Sequence, residues 1–177
     1  MSKRRIAFIV FAFAFFSLAA WRQLHNEKNV SPYQEVDTLE DVWIEAKPGT
    51  VTPYGMVILI HNTAERGDYE TGDGYVVEKK RGDQWYTIPG SRLSFDMPGP
   101  LIAYLIPTAS EIEQASAPDG GNRGKSRGSE WTYGWSGACG ELPPGDYRLL
   151  LEVDAAEDIH LEGYEGPWYL SAPFTIS

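Results

Sequence analysis

Apolar and polar positions follow two unlike patterns along this chain. From Ile6 to Trp21 the run is apolar on every side, and Ser17 is its single polar residue. A core helix of a water-soluble domain keeps a polar stripe, and this run has none. From Asp41 onward the apolar residues come instead in short β-rich runs, separated by Gly, Pro and Asp. Val42–Ala46, Met56–Asn62, Tyr75–Lys80, Gln84–Ile88, Leu101–Ile106, Trp131–Trp135, Tyr147–Val153 and Trp168–Ile176 are such runs. Each is too short for a typical helix and is bounded by turn formers, so each predicts a strand. Arg81-Gly82-Asp83 joins two of them as a hairpin.

The leading run follows Lys3-Arg4-Arg5 and ends in small residues before Trp21 and Arg22. A basic start, an apolar core and Ser17-Leu18-Ala19 have the form of a secretory signal. The apolar run is about 16 residues, just under the length that spans a bilayer, and Trp21 and Arg22 suit an interface. Residues 1–22 are therefore a cleaved signal peptide or an uncleaved signal-anchor helix. Both place the remainder outside the cytoplasm, as a secreted protein or one held by a single pass. No Cys lies near the end of the run, which argues against a lipoprotein. Residues 23–40 are polar, contain Ser31-Pro32, and read as a tether to a domain spanning 41–177. Asn29-Val30-Ser31 has the form of a glycosylation sequon, relevant only in a eukaryotic host.

Many short strands, 18 Gly, 12 Pro and no long amphipathic helix predict an all-β fold. The expected architecture is an antiparallel β-sandwich of about seven to eight strands after an N-terminal hydrophobic helix. Residues 108–130 break the pattern. Their Gly/Ser-rich part reads as a flexible surface insertion, and Ser110–Ala115 as one short helical turn.

Charge narrows the partners. The 15 Lys and Arg, less the three that precede the apolar run, leave 12 against 25 Asp and Glu, a net of −13. So acidic a domain is a poor nucleic-acid binder, and contact with the membrane is expected only through the N-terminal segment. The one cysteine, Cys139, cannot form an intramolecular disulfide and reads as a small buried residue.

Few groups carry candidate chemistry. Gly134-Trp135-Ser136-Gly137-Ala138 approaches a nucleophile elbow, but Cys139–Pro144 is not expected to supply the helix that motif needs. Gly120–Ser126 imitates a phosphate loop with one residue too few before Gly124-Lys125-Ser126. His25, His61 and His160 lack metal-ligand spacing. Asp154, Glu157, Asp158, Glu162 and Glu165 form one acidic cluster, and Asp68, Glu70 and Asp73 another. Neither matches a defined calcium loop. Six Trp and ten Tyr are enough to build a sugar-stacking face. The expected use of Trp43, Trp85, Trp131 and Tyr147 is to fill the core and corners.

Leu142-Pro143-Pro144-Gly145-Asp146-Tyr147-Arg148 has the form of a turn into a late immunoglobulin strand. Its Tyr147 is placed to bond the turn backbone, as in a tyrosine corner. Three further stretches, Ile60–Thr63, Tyr69–Lys79 and Gln84–Pro89, stand in order before it. Together these resemble a bacterial immunoglobulin-like domain found in short secreted or membrane-anchored proteins, over about Asp41 to Ser177. The long insertion and the acidic segment after Val153 depart from that pattern. The resemblance implies an extracytoplasmic sandwich with no catalytic residues. The expectation is a non-catalytic interaction or structural module with a protein or cell-envelope partner, without cofactor, metal or catalytic site. A carbohydrate- or peptidoglycan-binding accessory domain is the alternative.

Overall fold

The computed structural model describes residues 29–65, 69–91, 104–115, 129–156 and 167–177. The chain divides into two units, Met1–Val30 and Ser31–Ser177. The leader, most of the insertion and the acidic stretch 157–166 lie outside the described residues, so the account below concerns the second unit. Among the described residues no helix is long and apolar enough to cross a membrane.

Among the described residues nine strands form two antiparallel sheets. They are β1 (Val42–Ala46), β2 (Gly55–Asn62), β3 (Tyr69–Thr71), β4 (Val76–Arg81), β5 (Gln84–Thr87), β6 (Tyr104–Leu105), β7 (Glu130–Gly134), β8 (Gly145–Ala155) and β9 (Trp168–Ile176). The smaller sheet runs β1-β2-β7, and the larger holds the other six strands. In the larger sheet β8 is the long central strand. It pairs with β9 along one edge, and with β4 and β3 on the other. β3 and β4 are thus one line of chain broken at Gly72-Asp73-Gly74. β5 flanks β4, and β6 flanks β3.

The predicted hairpin is β4–β5. Arg81 pairs with Gln84, and Gly82 turns at φ 59°, where an L side chain is disfavoured. Two expectations change. Tyr69-Glu70-Thr71 is a strand that was not predicted, because three residues between loop segments carry no alternation to read. Leu101–Ile106 contributes only Tyr104 and Leu105 to a strand among its described residues, while Ile106 enters the core.

Alternation decides which side chains face the core between the sheets. β2 buries Met56, Ile58, Ile60 and Asn62, and β7 buries Trp131 and Tyr133. From the larger sheet Tyr147, Leu149, Leu151 and Val153 on β8 join the same core, with Leu170, Ala172, Phe174 and Ile176 on β9. Trp135, just past β7, is fully buried and donates its indole N–H to Pro53 O at 2.8 Å. Its ring stacks on Phe174, and Phe174 stacks on Tyr147. One aromatic column therefore links the end of the smaller sheet to β9 and β8. The Tyr147 hydroxyl donates to Pro143 O, four residues back, as the turn sequence predicts. Gly55 is required where β2 meets β7, because a Cβ there would lie 2.5 Å from Tyr133 O.

The described residues also hold two short helices. α1 (Ala109–Ala115) is longer than the single turn expected. Thr108 Oγ1 accepts from Glu111 N, and the Glu111 carboxylate accepts from Thr108 N, a reciprocal capping box. α2 (Ser136–Cys139) is a helix where none was expected; Gly140 ends it after one turn, at φ 75°.

The expected tether is the largest revision. The folded unit begins at Ser31, ten residues before the predicted boundary at Asp41. Ser31 N donates to Trp85 O on β5. Ser31 Oγ and Tyr33 O then accept from Arg148 Nη2 on β8, at 3.3 and 3.1 Å. The Tyr33 ring lies 4.6 Å from that of Tyr169 on β9. Asp37 N donates to Tyr169 O, and Ser171 N donates to the Asp37 carboxylate at 2.7 Å. Residues 31–37 thus form a strap across the outer face of the larger sheet, from β5 to β9. The strap is polar, so its composition alone does not distinguish it from a solvated linker.

Candidate functional site

The outer face of the smaller sheet presents the side chains that the core does not use. Val42 and Ile44 take the inward positions of β1, so Trp43 and Glu45 must point outward. The same parity on β2 turns out Val57, Leu59 and His61, and on β7 Glu130 and Thr132. Trp43 is 40% exposed.

Three of these residues form a cluster. Trp43 and His61 are direct cross-strand partners, and their rings stack at 4.8 Å with 10° between planes. The other side of the cluster is polar, because His61 Nε2 donates to Glu45 Oε1 at 3.1 Å. Beyond it, Lys47 Nζ contacts the Glu130 carboxylate at 2.7 Å, tying the end of β1 to β7. The face therefore offers an aromatic surface, flanking aliphatic residues Val57 and Leu59, and carboxylates at two corners. Such a surface can bury apolar area against a partner while its charged corners set orientation.

The second exposed aromatic is Tyr54, 51% exposed, at the opposite end of β2. Its hydroxyl donates to Glu141 Oε2 at 2.9 Å. That bond and the carboxylate's charge hold its pKa above the usual tyrosine value. Trp43 and Tyr54 are separated by most of the length of β2, about 20 Å.

Of the four aromatics expected in the core and corners, Trp131 and Tyr147 are buried there. Trp43 is on the exposed face, by the parity just given. Trp85 is half-buried on the outer face of the larger sheet, where the Arg148 guanidinium lies 4.6 Å from its ring centroid. Neither exposed position was read from the sequence, although the alternation Val42-Trp43-Ile44 carries the signal for Trp43.

The remaining candidates are dispersed. Ser136 is exposed at the start of α2, near the Gly55 end of β2, while His61 stands at the far end of that strand. Cys139 is half-buried, and its Sγ donates to Trp135 O at 3.6 Å. Burial raises its thiol pKa, which favours the neutral thiol over the nucleophilic thiolate. Asp73 accepts from the Tyr104 hydroxyl, and Asp154 accepts from Ala155 N. Among the described residues no group of three or more His, Cys, Asp or Glu is placed to hold a metal ion. His25, His160, Asp68, Gly120–Ser126, Glu157, Asp158, Glu162 and Glu165 lie outside the described residues.

No protein-family model, curated protein or solved structure matches this chain.

Proposed function

We propose that the chain is an immunoglobulin-like β-sandwich displayed outside a bacterial cytoplasm, acting as a non-catalytic interaction module through the outer face of its smaller sheet. The fold reading is supported by strand order. β1-β2-β7 corresponds to one immunoglobulin layer, and β9-β8-β4-β5 to the other, with the Tyr147–Pro143 bond at the corner. The location reading rests on the basic, apolar leader. The observation that carries the binding reading is the exposed Trp43 stacked on His61, with Glu45 behind it. Aromatic residues backed by oriented polar groups dominate interface energetics.

The test is site-specific crosslinking on intact cells expressing the full-length chain. A photo-reactive residue at Thr132, on this face, is expected to give protein adducts. The same residue at Lys80, on the larger sheet, is expected to give few. Equal yields at the two positions would remove the assignment of the face.

The exposed Trp43 ring also favours a second reading, stacking on a sugar of the cell envelope. Its wide separation from Tyr54 leaves one exposed Trp or Tyr on this face among the described residues, where an extended glycan platform uses several, so this reading ranks second. Co-sedimentation with purified peptidoglycan that is lost in Trp43→Ala would reverse the order.

A further inference from the structure

We propose that the strap of residues 31–37 is exchangeable between two copies of the chain, forming a strand-swapped homodimer in which each strap lies on the other copy's larger sheet. Three independent features of the strap lead to this.

The first is the chemistry of its seat. The two sheets are held together by Val, Leu, Ile and aromatic side chains, a seam that opens only when the domain unfolds. Much of the strap's fastening is polar. It includes the Arg148 guanidinium, Ser31 Oγ, Tyr33 O, the Asp37 carboxylate and the backbone of β5 and β9. Each of these groups can be solvated when the strap lifts, so opening costs far less than parting the sheets.

The second is the shortness of the hinge, which runs from Asp37 on the β9 edge to Leu39 on the core. Asp37 has φ 57°, and it is the one non-glycine residue with positive φ among the described residues. Leu39 packs on the core and β1 starts at Val42, so the strap must turn within a few residues to fold back on its own sheet. Short hinges favour exchange, because the same contacts form between copies with the hinge extended.

The third is position. The strap precedes every described strand in the chain, so it can leave without unthreading any of them. A second copy offers the identical seat, and every contact just described is satisfied equally in the swapped form. Copies held in one membrane by their leaders would meet at high effective concentration.

The experiment uses the full-length chain with a photo-reactive phenylalanine analogue replacing Tyr33, whose ring faces Tyr169. Isotopically heavy and light proteins are incubated together, irradiated and digested, and the crosslinked peptides are weighed. Peptides joining a heavy strap to a light β9 are expected. Crosslinks only within one isotope at every protein concentration would overturn the proposal. A second measurement needs no crosslinker. Deleting Thr38 is expected to tighten dimerisation about tenfold by sedimentation, and inserting Gly-Gly-Ser after Thr38, ahead of the core-packed Leu39, to weaken it about as much. Unchanged mass in both variants would equally overturn it.

Discussion

Arg148 and Glu78 stand directly opposite one another on β8 and β4, with Arg148 Nη2 2.7 Å and Nε 2.8 Å from the same carboxylate oxygen. Glu78 is wholly buried and Arg148 is 6% exposed. The other Glu78 oxygen accepts from Thr87 Oγ1 on β5, so one row of side chains crosses three strands. Both ions have left water, and their mutual attraction and hydrogen bonds must offset that desolvation. The strap supplies part of the offset through Ser31 Oγ and Tyr33 O.

Removing one partner is therefore costly. Glu78→Gln or Arg148→Met is expected to destabilise the domain by about 3–5 kcal/mol, since each leaves polar or charged atoms of the other buried without compensation. Replacing both, as Glu78→Leu with Arg148→Met, is expected to recover most of that loss. Urea unfolding of the two single variants and the double variant measures all three.

Tyr147→Phe removes one oxygen and leaves the Trp135–Phe174–Tyr147 column in place. The Pro143 carbonyl then loses its donor, but Pro143 is exposed and water can replace that donor in part. A loss of about 0.5–1.5 kcal/mol is expected from the unfolding midpoint, with little change in the dependence on denaturant concentration.

Much of the fold was legible because burial alternates strictly on β2 and β7, whereas the central β8 and its neighbour β4 are buried on both faces. Met56-Val57-Ile58-Leu59-Ile60 buries every second residue, and Leu142–Tyr147 announced both a turn and its hydroxyl bond. The strap was not legible, because polarity marks solvation and polar docking alike. Ser31, Tyr33 and Asp37 are held by Arg148 and the β9 edge, partners more than a hundred residues away. β3 was hidden by its length. The exposed cluster was half legible. Parity in Val42-Trp43-Ile44 turns Trp43 outward, but its stacking on His61 depends on the β1–β2 register, which no local pattern reveals.

Tyr75 gives the domain a defined response to alkali. Its hydroxyl donates to Gly134 O at 2.7 Å, and burial pushes its pKa up to about 12. In the unfolded chain the phenol ionises near pH 10. Between these values the unfolded chain releases the proton and the folded chain keeps it, so stability falls as pH rises from about 10 to 12. Below pH 10 the group contributes no slope. Tyr75→Phe loses the hydrogen bond at neutral pH but is expected to flatten that alkaline decline, in urea midpoints taken from pH 9 to 12.

Asp37 closes the edge of β9 by imitating a neighbouring strand, with its own N–H on Tyr169 O and its carboxylate on Ser171 N. Pro173, two residues on, has no N–H to offer at the next outward position. Asp37→Ala is expected to speed hydrogen exchange at the Ser171 amide by about tenfold or more, since a charge-assisted bond contributes about 1.5–3 kcal/mol. Asp37→Asn keeps a side-chain acceptor and tolerates positive φ, so it is expected to retain most of the protection. Exchange in Asp37→Ala as slow as in the unsubstituted chain would show that the carboxylate does not hold this edge.

Trp43→Ala separates a structural role from a binding role. As one cross-strand pair on an exposed face, Trp43 and His61 contribute about 0.2–1 kcal/mol to folding, so the unfolding midpoint is expected to shift little. If the same ring anchors a partner, its removal takes away a large apolar contact and leaves the partner's pocket unfilled, a loss of about 2 kcal/mol or more. Adducts captured at Thr132 on intact cells are then expected to fall at least about tenfold, because 1.4 kcal/mol is already a factor of ten in affinity. Tyr54→Ala, at the other end of β2, is expected to leave those adducts unchanged. A Trp43→Ala variant that keeps both its stability and its adducts would make the stack an ordinary surface pair.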